Sequence, residues 1–189
     1  WSNKIIDLLV KLSKTAKDPE PEKLNVIVNN EPNVVEDVLV RTLASNAINC
    51  CRGIAFSAIG HLYWKSEKLA SELINSLDDV INDPHPAVNY SASELLLPIY
   101  NYNRQLAHQK FLALCNKDLR MSCIRGNHYF FNDGFTEDSS FREQYLNLTL
   151  RMKYSPFDEV KKEAGRQIAA RWFFYELFSE EIHTLKKWD

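Results

Sequence analysis

A chain of 189 residues with 45% apolar and 25% charged residues has globular composition and enough length for a real core, which excludes a disordered segment. Five Gly and seven Pro are too few turn residues for a many-stranded β fold. A net charge of −2 gives no global pull toward nucleic acid or anionic lipid, and no apolar run approaches the roughly 18 residues of a spanning helix.

The chain opens "WSNKIIDLLVKLSK" without an initiator Met or a signal-peptide pattern, so it is expected to be a cytoplasmic piece of a longer protein. Residues 2–16 read as a helix, 17–33 as a polar loop and 34–44 as another helix. Residues 1–45 thus form an N-terminal section of helices and loop, and the rest, 46–189, is organised differently.

In "INCCRGIAFSAIGHLYW", residues 48–64, apolar side chains follow Cys51 at Ala55, Ala58, Ile59 and Leu62, one face of a helix. The same stripe follows Val88 at Ala92, Leu95, Leu96 and Ile99, and follows Val160 at Ala164, Ile168 and Trp172. Ile124 falls midway between Val88 and Val160. Anchors at 51, 88, 124 and 160 are spaced by 37, 36 and 36 residues. Asp83-Pro84 and Ser155-Pro156 precede two of them as helix-start signals, with Asn46 in the equivalent place of the first copy. Between anchors, residues 66–83, 103–117 and 141–155 carry second amphipathic helices. The third copy, "CIRGNHYFFNDGF", has two glycines and a poor stripe. Helix pairs of this kind cannot bury both faces alone, so neighbours must stack.

The phrases "DPHPAVNYSASELL" and "SPFDEVKKEAGRQIA" place an acid or cap, a Pro, a Val, a polar residue and an Ala at fixed offsets, and this period and pattern resemble HEAT repeats. The expected fold is therefore all-α, an α-solenoid of about four HEAT-like helix pairs over 46–189. The order of phrases resembles something narrower. Asn49-Cys50-Cys51-Arg52-Gly53-Ile54-Ala55, then "INDPHPAVNYSASELLLPIYN", then a weak copy, then "YSPFDEVKKEAGRQIAA" looks like the C-terminal helical segment of large bacterial P-loop ATPases of the STAND/NACHT kind linked to anti-phage defence. The resemblance implies a sensor or scaffold segment. The sequence contains no G-x-x-x-x-G-K-[ST], so a nucleotide site would lie outside it.

Chemical sites are weighed against packing. Cys50 and Cys51 diverge by about 100° on a helix, and there is no Cys-x-x-Cys, so Cys51 is expected to be a small buried anchor rather than a metal ligand. Arg52 is expected to join a repeat-to-repeat ladder that bonds caps such as Asp83. Cys115, Cys123 and His128 match no zinc spacing. None of the five histidines precedes a Glu, which removes an iron-binding HEAT hydroxylase. Asp78-Asp79 reads as a solvated face. No metal and no cofactor are expected, and no catalytic residue is assigned.

A protein partner is expected, with contacts from polar residues of the second helices: Arg104, His108, Arg142 and Arg151. No small-molecule substrate and no membrane partner are expected. The alternative is a nucleic-acid-binding repeat protein related to HEAT-like DNA glycosylases, using Arg151, Lys153, Lys161, Lys162, Arg166 and Arg171 with Tyr154 and Trp172. Acids Asp158, Glu159 and Glu163 sit among those cations, which suggests an ordinary mixed helix face. Phe174 and Leu177 are expected in the core.

Overall fold

The computed structural model describes residues 3–18, 40–136 and 138–175. These are all-α, with no strand among them. In chain order the helices are α1 (Asn3–Thr15), α2 (Val40–Ile48), α3 (Cys51–Lys65), α4 (Glu67–Glu72), α5 (Asn75–Asn82), α6 (Pro86–Tyr90), α7 (Ala92–Tyr102) and α8 (Arg104–Lys117). A 3₁₀ turn (Leu119–Cys123) follows, then α9 (Asn127–Gly134), α10 (Arg142–Lys153) and α11 (Asp158–Tyr175). The core is shared along the chain. α3 packs on α1 and α7, α7 on α8, and α11 on the 3₁₀ turn and α10, while α8 touches α5 and α10. Helices three to four elements apart in sequence thus meet, as α3 does α7 and α5 does α8.

Most of the apolar stripe positions are buried as spacing places them, with Trp172 and Cys51 as exceptions. Val88, Ala92, Leu95, Leu96, Val160, Ala164 and Ile124 are buried. Trp172, at the end of the last stripe, is 41% exposed. The Phe174 side chain and Leu177 lie outside the described residues.

Cys51 is a correction: it is exposed, and Cys50 is the buried residue. The helix begins at Cys51, whose N–H donates to the Asp18 carboxylate at 3.0 Å. Cys50 is the extended N-cap residue, and its backbone turns its thiol inward toward the Ala47 carbonyl at 3.6 Å. Asn46 lies inside α2 rather than at a helix start.

Residues 66–83 do not form one helix. They break after α4, where the Leu73 carbonyl accepts the phenol of the fully buried Tyr63. The second copy starts two residues later than Asp83-Pro84 implies, with His85 as N-cap and Pro86 first in the helix. Asp83 is freed for another task. Its carboxylate receives the Arg52 guanidinium in two bonds, 2.9 Å from Nε and 3.2 Å from Nη2, and the pair is buried. The expected ladder between copies is present in this pair. Asn89 completes the joint by donating to the Val80, Ile81 and Asp83 carbonyls left open at the end of α5.

The weak third copy is irregular backbone: a 3₁₀ turn, then Gly126 with φ 79°, then the two-turn α9. Gly126 is in the left-handed region that suits glycine, and a Cβ there would meet the Leu97 Cδ2 at 2.5 Å.

Candidate functional site

Two surface features lie side by side across α7, α8 and α9, and Tyr100 belongs to both. The first is built on α8. His108 is 3% exposed. Its Nδ1 lies 2.8 Å from the Tyr145 hydroxyl on α10 and its Nε2 lies 3.0 Å from Asp133 Oδ2 on α9. If Nε2 carries the proton, Tyr145 donates to Nδ1 and Nε2 donates to the carboxylate, so every polar group is satisfied. The ring is stacked on Phe141 at 5.0 Å and meets Tyr100, Phe130 and Tyr145 edge-on.

Burial raises the Asp133 carboxyl, but hydrogen bonds from His108 and Tyr100, with the Arg104 charge, outweigh it and hold its pKa below the ordinary value. Burial pushes the phenols of Tyr100 and Tyr145 up, and the Asp133 charge adds to both. Arg104 is 66% exposed, sits 3.7 Å from Asp133 and lies over the Tyr100 ring. A shallow cavity of about 380 Å³ opens above His108, lined also by Arg104, Asp133 and Phe141.

The four residues expected to contact a partner therefore divide. Arg104 and His108 meet around Asp133, but His108 is committed to the interior and presents no free edge. Arg142 stands half-buried in the first turn of α10. Arg151, about 14 Å further along that helix at 1.5 Å per residue, donates to Asn116 instead.

The second feature is a groove of about 450 Å³ running from the end of α3 across α7 to the start of α9. Trp64, Leu97, Tyr100 and Tyr129 supply its apolar lining, and Asn101, Arg125 and His128 its polar lining. Trp64 is 50% and Tyr129 51% exposed. The Tyr100 and Tyr129 rings lie 6.1 Å apart. Gly126 forms part of the wall, where the third copy comes down on Leu97. Sequence reasoning passed over Trp64 and Tyr129 because it looked for partner contacts on the second helices. The signal was the irregular "IRGNHY" turn, whose position in the fold the spacing alone does not fix.

The basic stretch from 151 to 172 is not an open cationic stripe. Lys161 pairs with Asp158 at 2.8 Å, Arg166 with Glu163 at 2.6 Å, and Arg171 donates to Asn132 and Gln167. The Lys161 and Arg166 pairings run i to i+3 along α11. Asp78 and Asp79 are likewise engaged, by Lys110 and Lys14. Among the described residues no cluster of three or more His, Cys, Asp or Glu side chains could hold a metal ion, and no helix is long and apolar enough to cross a membrane. Compared with known proteins, the chain matches no family model, no curated sequence and no solved structure.

Proposed function

We propose that this chain is a non-catalytic interaction module: a HEAT-like α-solenoid segment that holds a protein partner. The observation that carries the reading is the aromatic-lined groove across α3, α7 and α9, where Trp64 and Tyr129 are exposed and Tyr100 is partly buried. Exposed Trp and Tyr gathered in one concavity are characteristic of binding surfaces rather than of ordinary solvated faces. The buried Arg52–Asp83 pair and the partly buried His108–Asp133 pair tie the helices beneath that surface together.

The larger protein is proposed to be a bacterial P-loop ATPase of the STAND/NACHT kind, with this segment as sensor or scaffold. Support comes from the order of motifs, beginning with Asn49-Cys50-Cys51-Arg52-Gly53-Ile54-Ala55. Intact mass and peptide mapping of the native polypeptide test that part. A chain of about this mass without a Walker-type loop would contradict it.

The test of the module is quantitative affinity capture from the source cell with three proteins: wild type, Trp64→Ala/Tyr129→Ala and Arg104→Ala/Arg142→Ala. Capture of a defined protein by wild type, lost in the first variant and retained in the second, is expected. Loss only in the second keeps the module and moves the surface to α8 and α10. The same captured set for all three, and for an unrelated helical domain, contradicts the module.

A further inference from the structure

We infer that the groove between α3, α7 and α9 recognises an acidic–apolar segment of a partner protein: a carboxylate one or two residues from a bulky apolar side chain. The inference rests on the interaction-module reading and adds the chemistry of the partner. Charge complementarity carries it. Arg125 and His128 are both exposed on this groove, and no carboxylate lines it. The neighbouring cavities differ: Asp133 and Asp138 line one, Glu159 and Glu163 another, Glu67 a third. Among the described residues, Arg125 forms no ion pair, whereas Arg52, Arg120 and Arg166 each do. A guanidinium left unpaired beside two exposed aromatic rings matches a carboxylate that it can grip with two parallel bonds.

The apolar half of the segment has its own place. Leu97 and Gly126 touch at the wall, and Trp64 and Tyr129 flank the opening with half their surface in water. Covering them removes apolar area from water, the largest source of affinity at such sites. The φ of 79° at Gly126 favours glycine, and a side chain there would push on Leu97, so the turn that shapes this wall is set locally by the sequence. The groove crosses three helices, a shape that suits a length of chain better than a compact metabolite. A nucleic acid fits less well. Polyanion binding needs several cations along one track, and Lys161, Arg166 and Arg171 of α11 already have partners.

The test is fluorescence anisotropy with fluorescein-labelled 10-residue peptides in a Gly/Ser background. One set carries Asp or Glu beside Phe or Leu. Control sets replace the acid by Lys or the apolar residue by Ser. Fluorescein-labelled (dT)20 is measured in the same buffer. Wild type is expected to bind the acidic–apolar set at least about tenfold more tightly than either control, and Arg125→Glu to lose that preference and turn toward the Lys set. Arg125 is exposed, so circular dichroism should be unchanged. If that variant misfolds, Tyr129→Ser and Trp64→Ser replace it and should weaken the acidic–apolar set alone. Equal binding of acidic and basic peptides, no peptide binding, or (dT)20 binding that exceeds peptide binding and depends on Arg125 would each overturn the inference. Protein capture that persists through the Arg104 and Arg142 face in those cases would leave the module itself standing.

Discussion

Gly60 of α3 sits against the backbone carbonyl of Glu94 on α7, where an added Cβ would lie 2.5 Å from the oxygen. That carbonyl is free because Pro98, four residues later inside α7, has no N–H to offer it. A proline in one helix and a glycine in the next thus answer each other at the joint between the first two copies. Gly60→Ala must push the helices apart or strain α7. A loss of about 1–3 kcal/mol is expected from overpacking, although alanine raises helix propensity. Urea denaturation checks it, and a stabilised Gly60→Ala would show that the joint is looser than described.

Arg52 and Asp83 form a buried pair that ties α3 to the start of the second copy. Removing one partner leaves the other charge buried, so Arg52→Ala or Asp83→Ala should each cost about 3–5 kcal/mol, and the double variant less than the sum. A double-mutant cycle by chemical denaturation reads the coupling. Additive losses would mean that the two residues act separately, for example through the Arg52 bond to the Ala16 carbonyl.

Asp133 gives a pH dependence of definite sign. Its pKa is lowered in the folded protein, so its contribution is complete above the ordinary value of 3.8 and is lost as pH falls through the depressed one. The stability difference between wild type and Asp133→Asn should shrink in strong acid, as pH falls through the depressed value. The groups that face Asp133 are His108, Tyr100 and Arg104. A difference that grows on acidification would contradict this assignment.

The thiols should separate by reactivity. Cys51 is exposed, while Cys50 and Cys115 are buried. Burial raises the Cys50 and Cys115 thiols and pushes the partly covered Cys123 up to about 11, so little thiolate is present at neutral pH. Iodoacetamide should label Cys51 first in the folded protein and all four cysteines only after denaturation. Fast labelling of Cys50 would restore Cys51 as the buried anchor.

The all-α fold and its buried stripes were legible because burial imposes a period. Val88, Ile124 and Val160 are anchors by spacing and are buried in fact. One rung of the expected ladder, Arg52–Asp83, was legible too, since Arg52 follows one anchor and Asp83 precedes the next. What spacing cannot show is where a helix starts within a turn. Hence Cys51 and Cys50 exchange places, and His85, not Asp83, caps the second copy. The candidate surface was harder to read. His108 looks like a polar face residue in sequence, and only Asp133 and Tyr145, 25 and 37 residues away, reveal that it is interior. Trp64 and Tyr129 lie 65 positions apart, and only the fold brings them to one groove.

The central claim is that the groove at Tyr129 meets a protein partner. The most direct measurement places a photoreactive benzoylphenylalanine at position 129 in the source cell, with position 154 as control, since Tyr154 is 77% exposed but lies outside the groove. A discrete protein adduct from position 129, absent from position 154 and abolished by adding Arg125→Glu, is the predicted result. No adduct at 129, or equal adducts from both positions, would contradict the account.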